Sequence, residues 1–257
     1  MDRARLSAIA HRWHPVAAPV SDASLHRLLD RLAPPPQGRV LDLGCGSGAW
    51  LLPLVAAHPG LTGVGVDTSG PALDAARDRA AMAGVLGRVE FVQADAATWR
   101  AGPFDVVVCV GATHVFGGPA GTLAALKGHL RPGGRVLFGD GFWEAGPSPA
   151  ALAGLGAEPG ELPDLPGLLA EAGRAGLEPG YGHLSTRAEW DEYEWCWTGA
   201  LTDWALGEAA GADREAALEA ARTHRRQWLE GYRGELGFLT VVLHDTEGSV
   251  VLHDTGG

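Results

Sequence analysis

Short, almost wholly apolar runs recur through the middle of the chain, and between them lie longer segments whose apolar residues return every third or fourth position. The first pattern predicts strands buried on both faces, and the second predicts helices laid against them. Strands are expected at 39–43, 61–66, 89–93, 104–110, 136–138, 177–183 and 238–244, with helices at 49–57, 71–83, 119–130 and 165–175. Such alternation predicts an α/β fold: a seven-stranded, mostly parallel sheet with helices on both faces.

The ends of the pattern differ. Residues 6–32 are helix-like but broken at Pro15 and Pro19, and Ser21 or Asp22 can cap the second piece, whose Leu25, Leu28, Leu29 and Leu32 share a face. Pro34-Pro35-Pro36 stiffens the entry to the first strand. Thr186 and Glu189 form a capping box before a helix that carries Trp190, Tyr193, Trp197, Leu201 and Trp204 on one face; a further helix is expected at 213–232. Residues 250–255 repeat the run Val-Leu-His-Asp-Thr of 242–246, as a terminal hairpin or a loose tail.

With 257 residues, 46% of them hydrophobic, the chain can bury one substantial core, so a single domain is expected over 1–257. The balance is acidic, 31 Asp and Glu against 20 Lys and Arg, and Lys127 is the sole lysine. That disfavours nucleic acid and anionic membrane as partners. Cys45, Cys109 and Cys196 show neither redox nor zinc spacing, and no stretch approaches the roughly 20 apolar residues a bilayer requires, so the chain reads as cytoplasmic with reduced thiols. No metal is expected, since neither a zinc His-Glu motif nor a calcium loop occurs.

Candidate chemistry gathers at the strand ends. Asp42-Leu43-Gly44-Cys45-Gly46-Ser47-Gly48 is a buried strand breaking into a glycine turn, which lets a ligand approach the backbone or is an ordinary strand-to-helix turn. Asp67, ending the second strand, suits the two hydroxyls of a ribose; Asp95-Ala96, ending the third, suits an adenine edge. Either aspartate could instead cap a helix.

Together with Val66-Asp67 and Leu130-Arg131-Pro132-Gly133-Gly134-Arg135, these runs resemble the class I S-adenosylmethionine-dependent methyltransferase superfamily over roughly residues 32–140. The resemblance implies a Rossmann-like fold, S-adenosylmethionine as cofactor and S-adenosylhomocysteine as product. By position it implies cofactor contacts at Asp42, Gly44, Gly46, Gly48, Asp67, Thr68, Asp95, Ala96 and Val110. The turn reads G-x-G-x-G, without the phosphate-binding spacing of dinucleotide sites. More narrowly, His11-Arg12-Trp13-His14, residues 109–113, Gly117-Gly118 and residues 189–194 resemble a largely uncharacterised bacterial branch. Residues 34–184 would then form the cofactor-binding core, with an N-terminal helical cap (1–33), an inserted helical cap (185–235) and a last strand and tail (236–257).

Methyl transfer from a sulfonium is an in-line displacement, so alignment and exclusion of water matter most. His114, Asp140 and Glu144 follow the fourth and fifth strands and are the candidate catalytic residues, His114 as general base. A histidine bonded to a loop carbonyl, or a solvated glutamate, is the alternative. Phe116, Trp143, His11 and His14 are candidate contacts to a small-molecule acceptor, with a surface helix as the other reading of 11–14. Five of the nine tryptophans lie within 190–228, reading as core packing, an acceptor wall or, at Trp195, a homodimer contact. The expected activity is methylation of O, N or C of a small metabolite; a non-catalytic S-adenosylmethionine-binding protein and non-methylating chemistry on the same fold are the alternatives.

Overall fold

The computed structural model describes residues 1–247, the side chains of residues 3 and 4 excepted. Strands β1 (Arg39–Leu43), β2 (Thr62–Asp67), β3 (Val89–Gln93), β4 (Phe104–Val110), β5 (Leu130–Trp143), β6 (Leu177–Leu184) and β7 (Leu236–Asp245) form one sheet. Their order is β3-β2-β1-β4-β5-β7-β6, with β1 to β5 parallel and β7 antiparallel to both neighbours. The strand order reverses between β1 and β4, opening a crevice at their carboxyl ends.

Consecutive strand residues face opposite layers, as the pleat requires. Val40, Val106 and Val108 pack with Leu25, Leu28 and Leu54 on one face, while Leu41, Leu43 and Val107 pack with Leu123, Leu126 and Phe138 on the other. The helices supplying these layers are α2 (Asp22–Leu32), α3 (Leu51–Ala57), α4 (Gly70–Met82), α5 (Pro119–His129) and α7 (Leu165–Arg174). Of the two candidate caps for α2, Ser21 is the one used, its side chain accepting from the Ser24 N–H.

Helix α1 (Arg3–Ala10) lies against α8 (Arg187–Gly207) and α9 (Gly211–Gln227) in a separate cluster of Ile9, Ala10, Leu201, Trp204, Ala217 and Ala221. The capping box of α8 forms as expected. Helix α9 ends at Gln227, and 228–232 continue as a π-helical turn that buries Trp228 and Tyr232.

Two differences from the sequence reading bear on the site. Strand β5 extends to Trp143, although Gly139, Asp140 and Gly141 interrupt its apolar run, because β7 pairs with it from Arg135 to Trp143. Helix α6 (Pro149–Leu155), capped by Ser148, was not expected, since a segment of Pro, Ala, Leu and Gly has too few large apolar residues to show a period. The repeat at 250–255 lies outside the described residues. No helix among the described residues is long and apolar enough to cross a membrane.

Candidate active site

After β1 the chain turns through Gly44, Gly46 and Gly48 with φ of +76°, +51° and +75°. At Gly44 a side chain is excluded twice, because a Cβ would stand 2.6 Å from that of Ala112 in the loop after β4. At Gly46 a Cβ would meet nothing within 4 Å, so this backbone borders open space that a ligand can occupy. Asp67, at the end of β2, binds the turn from below: its Oδ2 accepts from the Gly46 N–H and its Oδ1 from the Ser69 N–H, both at 2.8 Å.

The other residues expected around a cofactor collect along the same edge. Thr68 is exposed, and its carbonyl accepts from the Gln93 side-chain amide at 3.0 Å. Asp95 is exposed and accepts from the Ala97 N–H at 2.9 Å, with Ala96 buried beside it. Val110 ends β4, next to Gly111, whose N–H donates to the Gly139 carbonyl at 3.0 Å. Asp42 lies underneath, fully buried; burial, reinforced by the charge of Asp67, pushes its pKa up to about 8, and its Oδ2 has no partner among the described residues.

Beside this edge lies a cavity of about 580 Å³. The loop after β4 contributes Thr113 and His114, β5 contributes Asp140, the end of α6 closes one side, and Trp190 and Tyr193 of α8 close another. A strap of Ala17, Ala18 and Pro19 completes the wall, and the Ala17 carbonyl stands 2.8 Å from where a Gly111 Cβ would be. The strap is held by Glu189, whose Oε1 accepts from the Ser21 N–H (3.0 Å), the Ser21 hydroxyl (2.7 Å) and the Ser24 hydroxyl (2.8 Å). Its Oε2 accepts from the Thr186 N–H at 2.9 Å and meets His183 Nε2 at 3.0 Å. Burial alone would raise the pKa of Glu189, but these hydrogen bonds bring it down to about 2.

Asp140 is the buried acid of the cavity, 8% exposed. The Gly141 N–H donates to its Oδ1 at 2.8 Å and the Thr113 hydroxyl also favours the charged form, while Oδ2 has no partner among the described residues. Burial outweighs those bonds and pushes its pKa up to about 6. His114 sits exposed on the wall, on a 3-10 turn of 113–116.

The remaining candidates lie elsewhere. Glu144 opens onto a separate cavity of about 280 Å³, beyond Trp190 and Leu236, which line both spaces. Trp143 is packed with Trp228 and Tyr232, and Phe116 packs against the β4–β5 layer, so neither ring reaches the larger cavity. His11 and His14 do not line it either; they hold Tyr193, His11 through Nε2 at 3.3 Å from the hydroxyl and His14 edge-on at 5.4 Å. Trp190, from the tryptophan group read as core packing or an acceptor wall, also lines the cavity, as do Tyr193, Glu161 and the strap, which were not singled out for the site. Trp190 and Tyr193 carried a signal, a polar-tipped aromatic pair inside an otherwise packing stripe, whereas Glu161 carried none. Among the described residues no group of three or more His, Cys, Asp or Glu is placed to hold a metal ion.

Residues 40–134 match the family described as a methyltransferase domain. The uncharacterized protein YjhP of Escherichia coli is 35% identical over 198 residues, 76% of this chain and 79% of its own length. A crystal structure of a SAM-dependent methyltransferase from Geobacter sulfurreducens in complex with S-adenosyl-L-homocysteine superposes with a TM-score of 0.85 at 31% identity, over 93% of this chain and 97% of that one. A SAM-dependent methyltransferase from Thiobacillus denitrificans, also in complex with S-adenosyl-L-homocysteine, gives the same TM-score of 0.85 and identity of 31% over 95% and 99%.

Proposed function

The chain belongs to the class I S-adenosylmethionine-dependent methyltransferases, and we propose that it methylates an oxygen or nitrogen of a small metabolite held in the cavity beside Asp140. The cofactor, when bound, supplies an electrophilic methyl on its sulfonium. The chain's residues fit it: open space stands over the left-handed Gly46, and the edge beyond carries the acceptor oxygens of Asp67 and Asp95. Gly44, Gly46 and Gly48 would bear the methionine and ribose portion and Asp67 the ribose hydroxyls, with Thr68 beside them. Asp95 and Ala96 would meet the adenine and Val110 the amino group, while Asp42 supports the turn from within.

One observation carries the acceptor assignment: Asp140 lines the cavity with a buried carboxylate whose Oδ2 has no partner among the described residues. A buried carboxylate with a pKa near 6 is ionised at neutral pH, yet basic enough to take a proton from a hydroxyl or amine as it is methylated. A hydroxyl or amine can hydrogen-bond to this carboxylate before reacting, whereas a C–H does so only weakly, which favours oxygen or nitrogen. His114, exposed on the same wall, is placed to orient the acceptor or pass the proton outward. The strap and α8 wall the cavity on two sides, and the net charge of −11 further favours a small molecule over nucleic acid. The test is Asp140→Asn: turnover falls about 10²- to 10⁴-fold while S-adenosylhomocysteine affinity, measured by calorimetry, stays within about twofold. Unchanged turnover would end the assignment.

A further inference from the structure

The hydrogen-bond polarity of the cavity restricts what can enter it. His11 Nδ1 lies 2.9 Å from the Ser7 carbonyl oxygen. A carbonyl can only accept, so Nδ1 carries the proton and the lone pair of the neutral ring falls on Nε2. That nitrogen faces the Tyr193 hydroxyl at 3.3 Å, so Tyr193 donates its one proton to His11. With that proton engaged, the hydroxyl oxygen of Tyr193, a residue of the cavity wall, is left as an acceptor. Burial lowers the pKa of His11, with the neighbouring imidazoles of His14 and His224 acting in the same direction, which keeps the neutral ring in place. His224 is itself bonded to Glu194 at 2.6 Å, and Tyr193 stays protonated because burial and the Glu194 charge raise its pKa.

Of the other polar side chains of the wall, Thr113 and His114 can donate as well as accept and Trp190 can donate, while the remaining two are acids. Asp140 and Glu161 are carboxylates, and no lysine or arginine lines the cavity among the described residues. The chain's sole lysine, Lys127, is paired with Asp245 away from the cavity.

We infer that the cavity selects an uncharged or cationic acceptor that donates hydrogen bonds at two points, one to Asp140 and a second O–H or N–H to Tyr193, and that it rejects phosphates and carboxylates. The inference rests on reading this cavity as the acceptor site. An anion entering it would lose water and meet two carboxylates with no lysine or arginine in the wall to offset them. A molecule with an ether or carbonyl in the second place would set two acceptors against each other and leave both unpaired.

The test is equilibrium binding of a fragment panel to the full-length, S-adenosylhomocysteine-loaded protein by ligand-observed NMR, with catechol and 2-aminophenol against 2-methoxyphenol, salicylate and phenyl phosphate. Two-donor fragments are expected to bind about tenfold tighter than the ether and the anions. Tyr193→Phe should remove most of that advantage and leave the one-donor fragment unchanged. His11→Phe frees the tyrosine proton to donate, and should raise the affinity of 2-methoxyphenol several-fold. Anions binding as well as catechol, or no two-donor advantage in a protein that binds S-adenosylhomocysteine, overturns the inference. Binding weakened by Asp140→Asn but indifferent to Tyr193→Phe overturns this inference alone; binding indifferent to both overturns the reading of the cavity itself.

Discussion

The edge formed by the loops after β1, β2 and β3 and the cavity walled by β5 and α8 handle their polar atoms in opposite ways. Along the edge, both oxygens of Asp67 accept from backbone N–H groups within its own and the neighbouring loop, and Oδ1 of Asp95 accepts from the N–H two residues on. Among the described residues lining the cavity, Asp140 Oδ2 and Trp190 Nε1 are buried without partners, and the Tyr193 hydroxyl meets a histidine from α1's C-terminal cap. The edge is thus formed and held by short-range contacts. The cavity instead leaves hydrogen-bonding capacity unused, a cost that a bound acceptor can recover.

The comparison predicts that the two regions respond to different perturbations. The largest effect should be on the pH dependence of turnover. Asp140 must be ionised to accept a proton, so kcat/KM should fall about tenfold per unit as pH drops below about 6, and the limb should vanish in Asp140→Asn. A flat acid limb in the wild type would remove the distinction between Asp140 and Asp67.

Next in size is a contrast within the glycine turn. Gly44→Ala places a Cβ 2.6 Å from Ala112 and should cost about 2–4 kcal/mol in denaturant unfolding, because two loops must separate. Gly46→Ala meets no neighbour, should cost only about 1 kcal/mol for its left-handed backbone, and yet should weaken S-adenosylhomocysteine at least about tenfold. Equal effects on both readouts would mean that the space over Gly46 is not where the cofactor lies.

Asp42 sharpens the comparison further. Its pKa is raised from 3.8 to about 8 on folding, so between those values the folded state binds the extra proton. Its contribution to stability is therefore lost as pH rises, by up to ~1.4 kcal/mol per unit. Asp42→Asn should remove that slope from unfolding curves taken between pH 5 and 8. A wild-type and variant pair with parallel pH profiles would contradict its burial as an acid.

The smallest effect is expected at Glu189. Its folded pKa is depressed to about 2, so its contribution is present above 4.5 and is lost as pH falls toward 2. Glu189→Gln should lower stability at pH 7 by about 1–2 kcal/mol and loosen the strap, read as faster amide exchange at residues 17–21. Unchanged exchange there would show that the strap is held by its apolar contacts alone.

Much of this was legible from the chain, and the reasons differ by residue. Glycines with positive φ, an aspartate ending a strand and a Thr-x-x-Glu cap each act within a few residues, so their patterns survive in one dimension. Trp190 and Tyr193 read as a packing stripe because spacing along a helix reports a face without reporting what covers it. Trp190 touches both cavities, and Tyr193 turns its hydroxyl to a histidine 182 residues away. Helix α6 was hidden because Ala and Gly carry no apolar signal, although Ser148-Pro149 is a usable start.

By itself, the sequence determined the α/β alternation, the glycine turn and the acids at the ends of β1, β2 and β3, because each depends on local backbone geometry and on which residues avoid water. Only the tertiary structure decided which carboxylate serves the cavity. Asp140, between two glycines, and Glu144, between Trp143 and Ala145, are four residues apart, and neither setting says which one reaches the cavity. Pairing with β7 holds Asp140 inside β5, whereas Glu144 follows its last residue, donates its N–H to the Glu235 carbonyl and falls beyond Trp190. That partition depends on strands and helices brought together from distant parts of the chain, whose register no local pattern records.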